Sequence, residues 1–181
     1  ADNAESAGAQ GSAQSSAQNN EEWKQIFDAF LAEQQSFLTD TLGLRAEKIH
    51  KVEVPPADRA HYSKHSVDTE FDFPFGQKEL LGLAYRTDYD LGAHSKMSKV
   101  DLSYYDEETK ERFIPHCIEP TMGVDHLMLA VLSDAYTEDS MGDNAGNNEE
   151  GKRVYLKFSP KVAPVKVAVF PLLKNKPALI A

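Results

Sequence analysis

One stretch of strict alternation constrains the fold most. From Val67 to Phe75, apolar residues and one threonine occupy every second position, and mostly acidic residues stand between them. This period of two is typical of a β-strand with one buried face, because successive side chains of a strand point to opposite faces. Gly76 and Gln77 then predict a turn into a second strand, "KELLGLAYR". The core is therefore expected to contain a pair of neighbouring strands.

Two helices flank these strands in the sequence. Apolar residues recur at helical spacing from Trp23 to Leu38, behind a polar Asn20 cap, and the pattern ends near Gly43. A second helix begins after Gly123. Its apolar face carries Val124, Leu127, Met128, Val131, Leu132 and Ala135. This face is expected to pack on the sheet, since these positions fit a period of 3.6 residues.

Three further stretches predict strands. The stretch "RFIPHCIEP" is a third strand, and "RVYLKF" is another, which follows an acidic loop rich in Gly and Asn. The run "VKVAVFPLL" is almost continuously apolar, as in strands that are buried on both faces. Because such a strand needs neighbours and covering helices, we interpret the run as the first strand of a second domain.

The chain divides into three parts. Residues 1–20 contain nothing larger than small and polar side chains, so they are predicted to be a disordered linker or tail. Residues 21–160 contain the strands and helices of the main domain, and residues 161–181 begin a truncated second domain. Since the sequence begins with Ala rather than Met, we expect a piece of a longer protein.

Composition and charge exclude several classes of protein. The net charge of -10 argues against a general attraction to nucleic-acid phosphates. No apolar run approaches the roughly 18 residues of a membrane span, and no signal peptide is recognisable, which predicts a soluble, cytoplasmic protein with no membrane contact. The single cysteine, Cys117, excludes an internal disulfide and is interpreted as a buried structural thiol.

The histidines do not predict a metal centre or a nucleophile pair. His61 and His65 stand four residues apart, but no glutamate follows the first of them and the region precedes a strand. His116 and Cys117 are adjacent in a predicted strand, where neighbours point to opposite faces. Neither pair therefore has the geometry that its chemistry needs.

The stretch that joins the third strand to the second helix is a candidate binding site. Strand alternation puts Glu119 and Thr121 on the same face as Cys117, so a carboxylate and a hydroxyl can converge on an ammonium group. Gly123 allows a ligand to approach the backbone, and the helix start offers unpaired N–H groups to a phosphate or a polar ring. An ordinary capped helix after a strand explains the same residues equally well.

The second strand favours the binding interpretation. Glu79 stands in an otherwise apolar strand, where an unpaired carboxylate is costly unless it meets a cation or a metal. Arg86 lies an odd number of positions from Glu79, so both can face one site only if Gly82 marks a bulge or the strand ends first. Arg86 and Asp88 could equally form a structural ion pair.

Two motifs of the sequence resemble those of a known enzyme family. The stretch "QKELLGLAYRTDYDL" (Gln77–Leu91) matches the family motif "GELxGIANRTDFDL", and "IEPTMGVDH" (Ile118–His126) matches its third class motif, "IEPSAGVDR". The chain thereby resembles the homodimeric class II type of glycyl-tRNA synthetase. The similarity extends from about His61 to Lys174. The resemblance implies an α+β fold in which helices flank a class II antiparallel catalytic sheet, followed by the first strand of an α/β anticodon-binding domain.

The resemblance also implies a role for each site residue. The glycine-binding positions are Glu119, Pro120, Thr121, Met122 and Gly123. The ATP-binding positions are Glu79, Leu80, Gly123, Val124, Asp125 and His126, and Glu79 is also the magnesium position. The implied ligands are glycine, ATP, Mg2+ and tRNA(Gly), the implied assembly is a homodimer, and no residue has a covalent catalytic role.

Three positions depart from the family's pattern. Leu81 replaces a residue that is often acidic, Thr121 replaces the usual serine but keeps the hydroxyl, and His126 replaces the class arginine. Arginine is always charged and can fork onto a phosphate, whereas histidine is mostly neutral at pH 7. The first and second class motifs are absent from this sequence, and the resemblance places them before it.

The sequence therefore predicts a glycine-tRNA ligase. Such an enzyme activates glycine with ATP to glycyl-adenylate and transfers the glycyl group to tRNA(Gly). We expect the 181-residue chain to be inactive alone, since it lacks the first two class motifs. The alternative is a catalytically inactive, synthetase-like binding subunit, similar to the accessory subunits of mitochondrial DNA polymerase, and His126 favours that alternative.

Overall fold

The computed structural model describes residues 22–140 and 152–170. The helices are α1 (residues 22–36), α2 (Tyr89–Ser98) and α3 (Val124–Ala135). The strands are β1 (Ile49–Glu53), β2 (His65–Phe73), β3 (Gly76–Thr87), β4 (Tyr104–Tyr105), β5 (Arg112–Phe113), β6 (Cys117–Met122), β7 (Tyr136–Ser140) and β8 (Lys152–Leu156). No helix within these ranges is long and apolar enough to cross a membrane.

The main sheet has four antiparallel strands in the order β1-β2-β3-β6. Both long strands were predicted, and their antiparallel pairing is the centre of the fold. In β2 the buried residues are Val67, Thr69, Phe71 and Phe73. The alternation ends there: Phe75 was predicted on the same face but is 62% exposed, because the chain turns at Pro74 and Phe75. Gly76, with φ 113°, already begins β3, where a glycine avoids backbone strain.

Two bulges in β3 decide which residues share a face. The register of β3 against β2 skips Leu80, and its register against β6 skips Arg86. At a bulge, two residues oppose one, so the alternation of faces shifts by one position. The neighbours Leu80 and Leu81 are consequently both buried. The bulge thus lies at Leu80 rather than at Gly82, where the sequence suggested one.

Helices α1 and α3 cover one face of the sheet. One core cluster contains Phe27, Val67, Leu83 and Tyr85. The other contains Leu38, Leu44, Phe71, Phe73, Leu80, Leu81, Leu127 and Ala130. Burial of each large apolar side chain contributes roughly 1.5–3 kcal/mol, so these clusters hold the layers together. The opposite face of the sheet is not covered by these helices.

The predicted first helix is confirmed. Helix α1 continues as a short π-helical segment, Phe37–Leu42, and ends at Gly43 with φ 79°. Glycine adopts this left-handed conformation without strain, which explains why the helix stops there. One member of the predicted apolar stripe, Ile26, is 49% exposed, because the sheet contacts only the side of the helix that carries Phe27.

The predicted second helix is also confirmed, but part of its predicted buried face is wrong. Leu127 and Ala135 are buried as expected, whereas Val124, Met128 and Leu132 are exposed. Ala130 is buried in their place. The sheet contacts the side of the helix around Leu127 and Ala130, so the apolar residues on the other side remain at the surface.

The predicted third strand is wrong in its extent. Arg112–Phe113 pairs with Tyr104–Tyr105 in a separate hairpin, and only Cys117–Met122 joins the main sheet. Pro115 lies between the two pieces, and it has no N–H to continue a ladder. Cys117 is half-buried rather than buried.

The C-terminal part of the described chain departs most from expectation. Strand β8 confirms the predicted strand "RVYLKF" and pairs with β7, which begins at Tyr136 and ends inside the predicted acidic loop. Residues 165–170 form no strand, although a buried one was predicted. The exposed apolar residues there are Val165, Val167, Val169 and Phe170. Within the described ranges this segment forms no ladder with another strand, so it has no sheet in which to be buried. Residues 1–20 and 171–181, with the predictions made for them, lie outside the described residues.

Candidate functional site

The uncovered face of the sheet carries a cavity of about 320 Å³, which we call the polar cavity. Its polar lining includes Asp68 of β2, Glu79 and Arg86 of β3, and Glu119 and Thr121 of β6. Gly82 lies among them, and Tyr62 contributes to the wall from the loop between β1 and β2. Three adjacent strands therefore bring together acidic, basic and hydroxyl side chains that are far apart in the sequence.

Glu79 and Arg86 both line the polar cavity. Their odd spacing would put them on opposite faces of a regular strand, as the sequence indicated. The bulge at Leu80 shifts the alternation between them and brings both to one face. Both residues can face one site only if a bulge lies between them, and that bulge is at Leu80 instead of Gly82.

Arg86 fixes the position of Glu119. Its Nη1 donates a hydrogen bond to Oε2 of Glu119 at 2.5 Å, while Nε and Nη2 donate to the two carboxylate oxygens of Asp90 at 2.6 and 2.8 Å. The guanidinium carbon also lies 3.8 Å from the ring centre of Tyr62. The hydrogen bond to Asp90 raises the pKa of Arg86, burial opposes this, and Glu119 adds to it. The suggested ion pair with Asp88 is wrong, because the partner in α2 is Asp90.

Glu119 and Thr121 face the polar cavity together, as strand alternation predicted. In the ladder, Glu119 is opposite Ala84 and Thr121 is opposite Gly82. The hydroxyl of Thr121 donates to the carbonyl oxygen of Gly82 at 3.4 Å. A carboxylate and a hydroxyl are therefore held on one side of the same cavity, which is suited to an ammonium group.

Asp68 is a site residue that the sequence analysis missed. It occupies a polar position of β2, and burial, followed by Glu79 and Glu70, raises the pKa of its carboxyl. The available signal was its place in the alternating strand, on the face away from the core. Glu79 itself is exposed, so the expectation of a buried, desolvated acid is wrong, although the residue does line the cavity.

A second cavity, of about 370 Å³, lies between the end of the β2–β3 hairpin and the start of α3. We call it the aromatic cavity; it is lined by Phe73, Phe75, Lys78, Glu79, His126 and Leu129. The rings of Phe73 and Phe75 stack with 5.0 Å between their centres and 11° between their planes. Stacked rings beside a cation and an imidazole suit a flat aromatic ligand that carries negative charge.

Glu79 lines both cavities, so ligands bound in the two would both border this residue. Among the described residues, no group of three or more His, Cys, Asp and Glu side chains could hold a metal ion. Magnesium is usually bound through one or two carboxylates together with substrate phosphates. Glu79, with Asp68 nearby, fits a magnesium ion that arrives with a nucleotide.

The remaining predicted residues lie apart from the cavity walls. Leu80 is buried in the core, and so is Leu81. The exposed residues between the cavities and the body of α3 are Pro120, Met122, Gly123, Val124 and Asp125. Their side chains are not among those that line either cavity in the described part of the chain. Pro120 and Met122 belong to the end of β6, Gly123 is the single connecting residue, and Val124 and Asp125 begin α3.

Comparison with known proteins gives a consistent result. No protein-family model matches the chain. A glycine-tRNA ligase of Thermobifida fusca is 50% identical over 137 residues, which are 74% of this chain and 29% of that protein. The glycine-tRNA ligase of Malacoplasma penetrans is 45% identical over 147 residues, 81% of this chain and 30% of that protein. That of Caldanaerobacter subterraneus is 44% identical over 153 residues, 84% of this chain and 30% of that protein. The chain thus spans about three tenths of the length of these relatives.

Proposed function

Because the chain is related in sequence to glycine-tRNA ligases, as its two motifs predicted, we propose that it forms the glycine-binding and part of the ATP-binding region of such an enzyme. The enzyme activates glycine with ATP to glycyl-adenylate and then transfers the glycyl group to tRNA(Gly). The observation that carries the proposal is that a polar and an aromatic cavity meet at one carboxylate, Glu79. Two different substrates that must react with each other need such an arrangement.

The polar cavity is the proposed glycine subsite. The carboxylate of Glu119 and the hydroxyl of Thr121 accept hydrogen bonds from the substrate ammonium. Arg86 keeps Glu119 in one orientation before glycine arrives, so little ordering remains to be done on binding. Pro120, Met122 and Gly123 belong to the same stretch of chain, but their side chains do not line the cavity. Glycine has no side chain to recognise, so its selection depends on walls that exclude anything larger.

The aromatic cavity is the proposed adenine subsite. The exposed Phe75 and His126 offer flat surfaces to a base, with the buried Phe73 stacked against Phe75, and Lys78 offers a positive charge to the phosphates. The start of α3, at Val124 and Asp125, supplies backbone N–H groups near the same place. Leu80 contributes backbone only, since its side chain is in the core.

Catalysis in this proposal rests on positioning. A carboxylate oxygen of glycine attacks the α-phosphorus of ATP, the bond to pyrophosphate breaks, and glycyl-adenylate forms; a terminal ribose hydroxyl of the tRNA then attacks the glycyl carbonyl and AMP leaves. Magnesium held at Glu79 would neutralise phosphate charge in the first step. The chain's own residues hold the ammonium, hold the base and bring the reacting atoms together at Glu79.

The rest of the enzyme follows from the family and is equally a proposal. It includes the class II sheet with its first two motifs, an anticodon-binding domain beginning in residues 161–181, a homodimeric assembly and a cytoplasmic location. The 181-residue chain alone is expected to be inactive, since a second part of the ATP site lies outside it.

One observation favours a second function, that of a synthetase-like binding subunit without catalysis. His126 stands where the family has an arginine, and histidine lacks the fixed charge and the fork of that side chain. Against this, the polar cavity keeps its acids and its hydroxyl on one face. A subunit that only binds a partner has no need of them.

The test is a chimera in which the matched region of the Thermobifida fusca ligase is replaced by that of this chain. Glycine-dependent exchange of pyrophosphate into ATP is measured with the chimera, the parent ligase and the 181-residue chain. We expect exchange by the chimera and none by the chain alone. A folded chimera that binds tRNA but shows no exchange would support the non-catalytic function instead.

A further inference from the structure

Gly82 lines the polar cavity, and its lack of a side chain is not explained by its backbone. Glycine is needed where φ is positive, and in the described residues the positive-φ glycines are Gly43 and Gly76. Gly82 lies inside strand β3, where a glycine weakens the strand. A glycine in such a place indicates that space, rather than conformation, is required.

The space beside Gly82 is surrounded by oxygen atoms. A Cβ atom at this position would lie 2.9 Å from Oγ1 of Thr121, 3.6 Å from Oε1 of Glu79 and 3.8 Å from Oδ1 of Asp68. The contact with Thr121 is shorter than a real Cβ atom tolerates. Any side chain here would therefore displace Thr121 and fill the space between the two carboxylates.

The backbone at Gly82 cannot easily move aside. Its carbonyl oxygen accepts a hydrogen bond from Nε2 of Gln34 at 3.3 Å and another from Oγ1 of Thr121 at 3.4 Å. Gln34 belongs to α1 and is only 7% exposed, so it holds the strand from the helix-covered side. The notch above Gly82 thus has a fixed floor.

We propose that Gly82 is a specificity-determining residue of the glycine subsite: its missing side chain leaves the room in which the substrate ammonium lies, beside Thr121, Glu79 and Asp68. An ammonium group has three N–H donors, and three oxygen-bearing side chains surround this space. Asp68 is thereby a third carboxyl group of the subsite, in addition to Glu119 and Glu79. The inference rests on the proposed function and adds two residues to it.

The test compares two glycine-to-alanine substitutions of equal size. Gly82→Ala fills the notch, whereas Gly92→Ala adds the same methyl group in α2, where no atom lies within 4 Å of the new Cβ. Equilibrium binding of radiolabelled glycine is measured in the full 181-residue chain and in the chimera, and the KM for glycine and for ATP in the chimera. Circular dichroism checks that each variant is folded.

We expect Gly82→Ala to weaken glycine binding at least tenfold and to leave the KM for ATP within about twofold, while Gly92→Ala changes neither. Asp68→Asn, which adds no bulk, is expected to weaken glycine binding as well. The inference is overturned if Gly82→Ala binds glycine with an affinity within twofold of that of the unsubstituted protein. It is also overturned if neither the unsubstituted 181-residue chain nor the unsubstituted chimera binds glycine. If the substitutions weaken glycine binding as expected but the chimera shows no pyrophosphate exchange, this inference is upheld and the proposed activity is rejected.

Discussion

The two cavities of this protein are built in opposite ways. In the polar cavity, one group of charged side chains is already paired: Arg86 binds Glu119 and Asp90 and lies against Tyr62. In the aromatic cavity, Phe73 is buried, but Phe75 is 62% exposed and His126 is also exposed. The first is an ordered site before any ligand binds, and the second acquires much of its enclosure from the ligand or from other parts of the protein.

This difference predicts which substrate each substitution affects. Under the proposed function, a change in the polar cavity alters a site that is already organised, so it is expected to affect glycine. A change in the aromatic cavity alters stacking and charge in the proposed adenine subsite, so it is expected to affect ATP. Because Glu79 lines both cavities, a substitution there is expected to affect both substrates.

The largest effect is expected at that shared position. Glu79→Gln keeps the shape but removes the charge, so pyrophosphate exchange by the chimera should fall on the order of a hundredfold and need more magnesium. The measurement is the exchange rate as a function of magnesium concentration. Glu70→Gln, on the neighbouring strand, is the matched control. An unchanged magnesium dependence would leave Glu79 a structural residue.

Glu119→Gln should have the next largest effect, and on one substrate only. A neutral amide loses the charge-assisted contact with the ammonium, worth roughly 1.5–3 kcal/mol, so the KM for glycine should rise tenfold to a hundredfold. The KM for ATP should stay within about twofold. Both KM values are measured by steady-state kinetics of pyrophosphate exchange. An equal rise in the two KM values would show that Glu119 does not belong to the glycine subsite.

His126→Arg is expected to improve the aromatic cavity. Arginine adds a permanent charge and a second donor, so ATP-dependent activation should strengthen by about tenfold, the scale of one charge-assisted hydrogen bond. The KM for ATP is measured at pH 7, with His116→Arg, outside both cavity linings, as control. If the KM for ATP of His126→Arg were no lower than that of the unsubstituted chimera, the cavity would be adapted to histidine.

The smallest effect concerns stability and pH. Burial, with help from Glu79 and Glu70, raises the pKa of Asp68 above its ordinary value of 3.8, so the folded state favours the protonated carboxyl. That contribution is fully present below pH 3.8 and is lost as the pH rises through the folded-state pKa. Asp68→Asn should therefore gain stability relative to the unsubstituted chain as the pH rises from about 3 to about 6. Thermal unfolding at a series of pH values measures this, and parallel curves for the two proteins would contradict it.

The elements that hydrophobic periodicity defines were predictable from the sequence. Strands β2 and β3 and helices α1 and α3 all have strong patterns, and they form the core of the described chain. Helix α2 and strand β1 were missed because they contain no buried residue and hence no period to detect. The strand predicted in residues 165–170 failed because apolar composition alone does not supply a neighbouring strand.

The site was predictable in part for the same reason. Alternation along one strand placed Glu119 and Thr121 together. The role of Asp68 and the partner of Arg86 depend on which strands are neighbours and on two bulges, and no local pattern records either. Family motifs named Glu79 and His126, whereas Phe73 and Phe75 were assigned only to the core.

The most direct test of the separation between the cavities is the double variant Glu119→Gln/His126→Arg in the chimera, with the KM for glycine and for ATP measured alongside both single variants. Distant sites without shared partners are expected to act additively. If the cavities are separate substrate sites, the double variant has a glycine KM equal to that of Glu119→Gln and an ATP KM equal to that of His126→Arg, each within about twofold. If each single substitution shifted both KM values to the same extent, the two cavities would not be separate substrate sites.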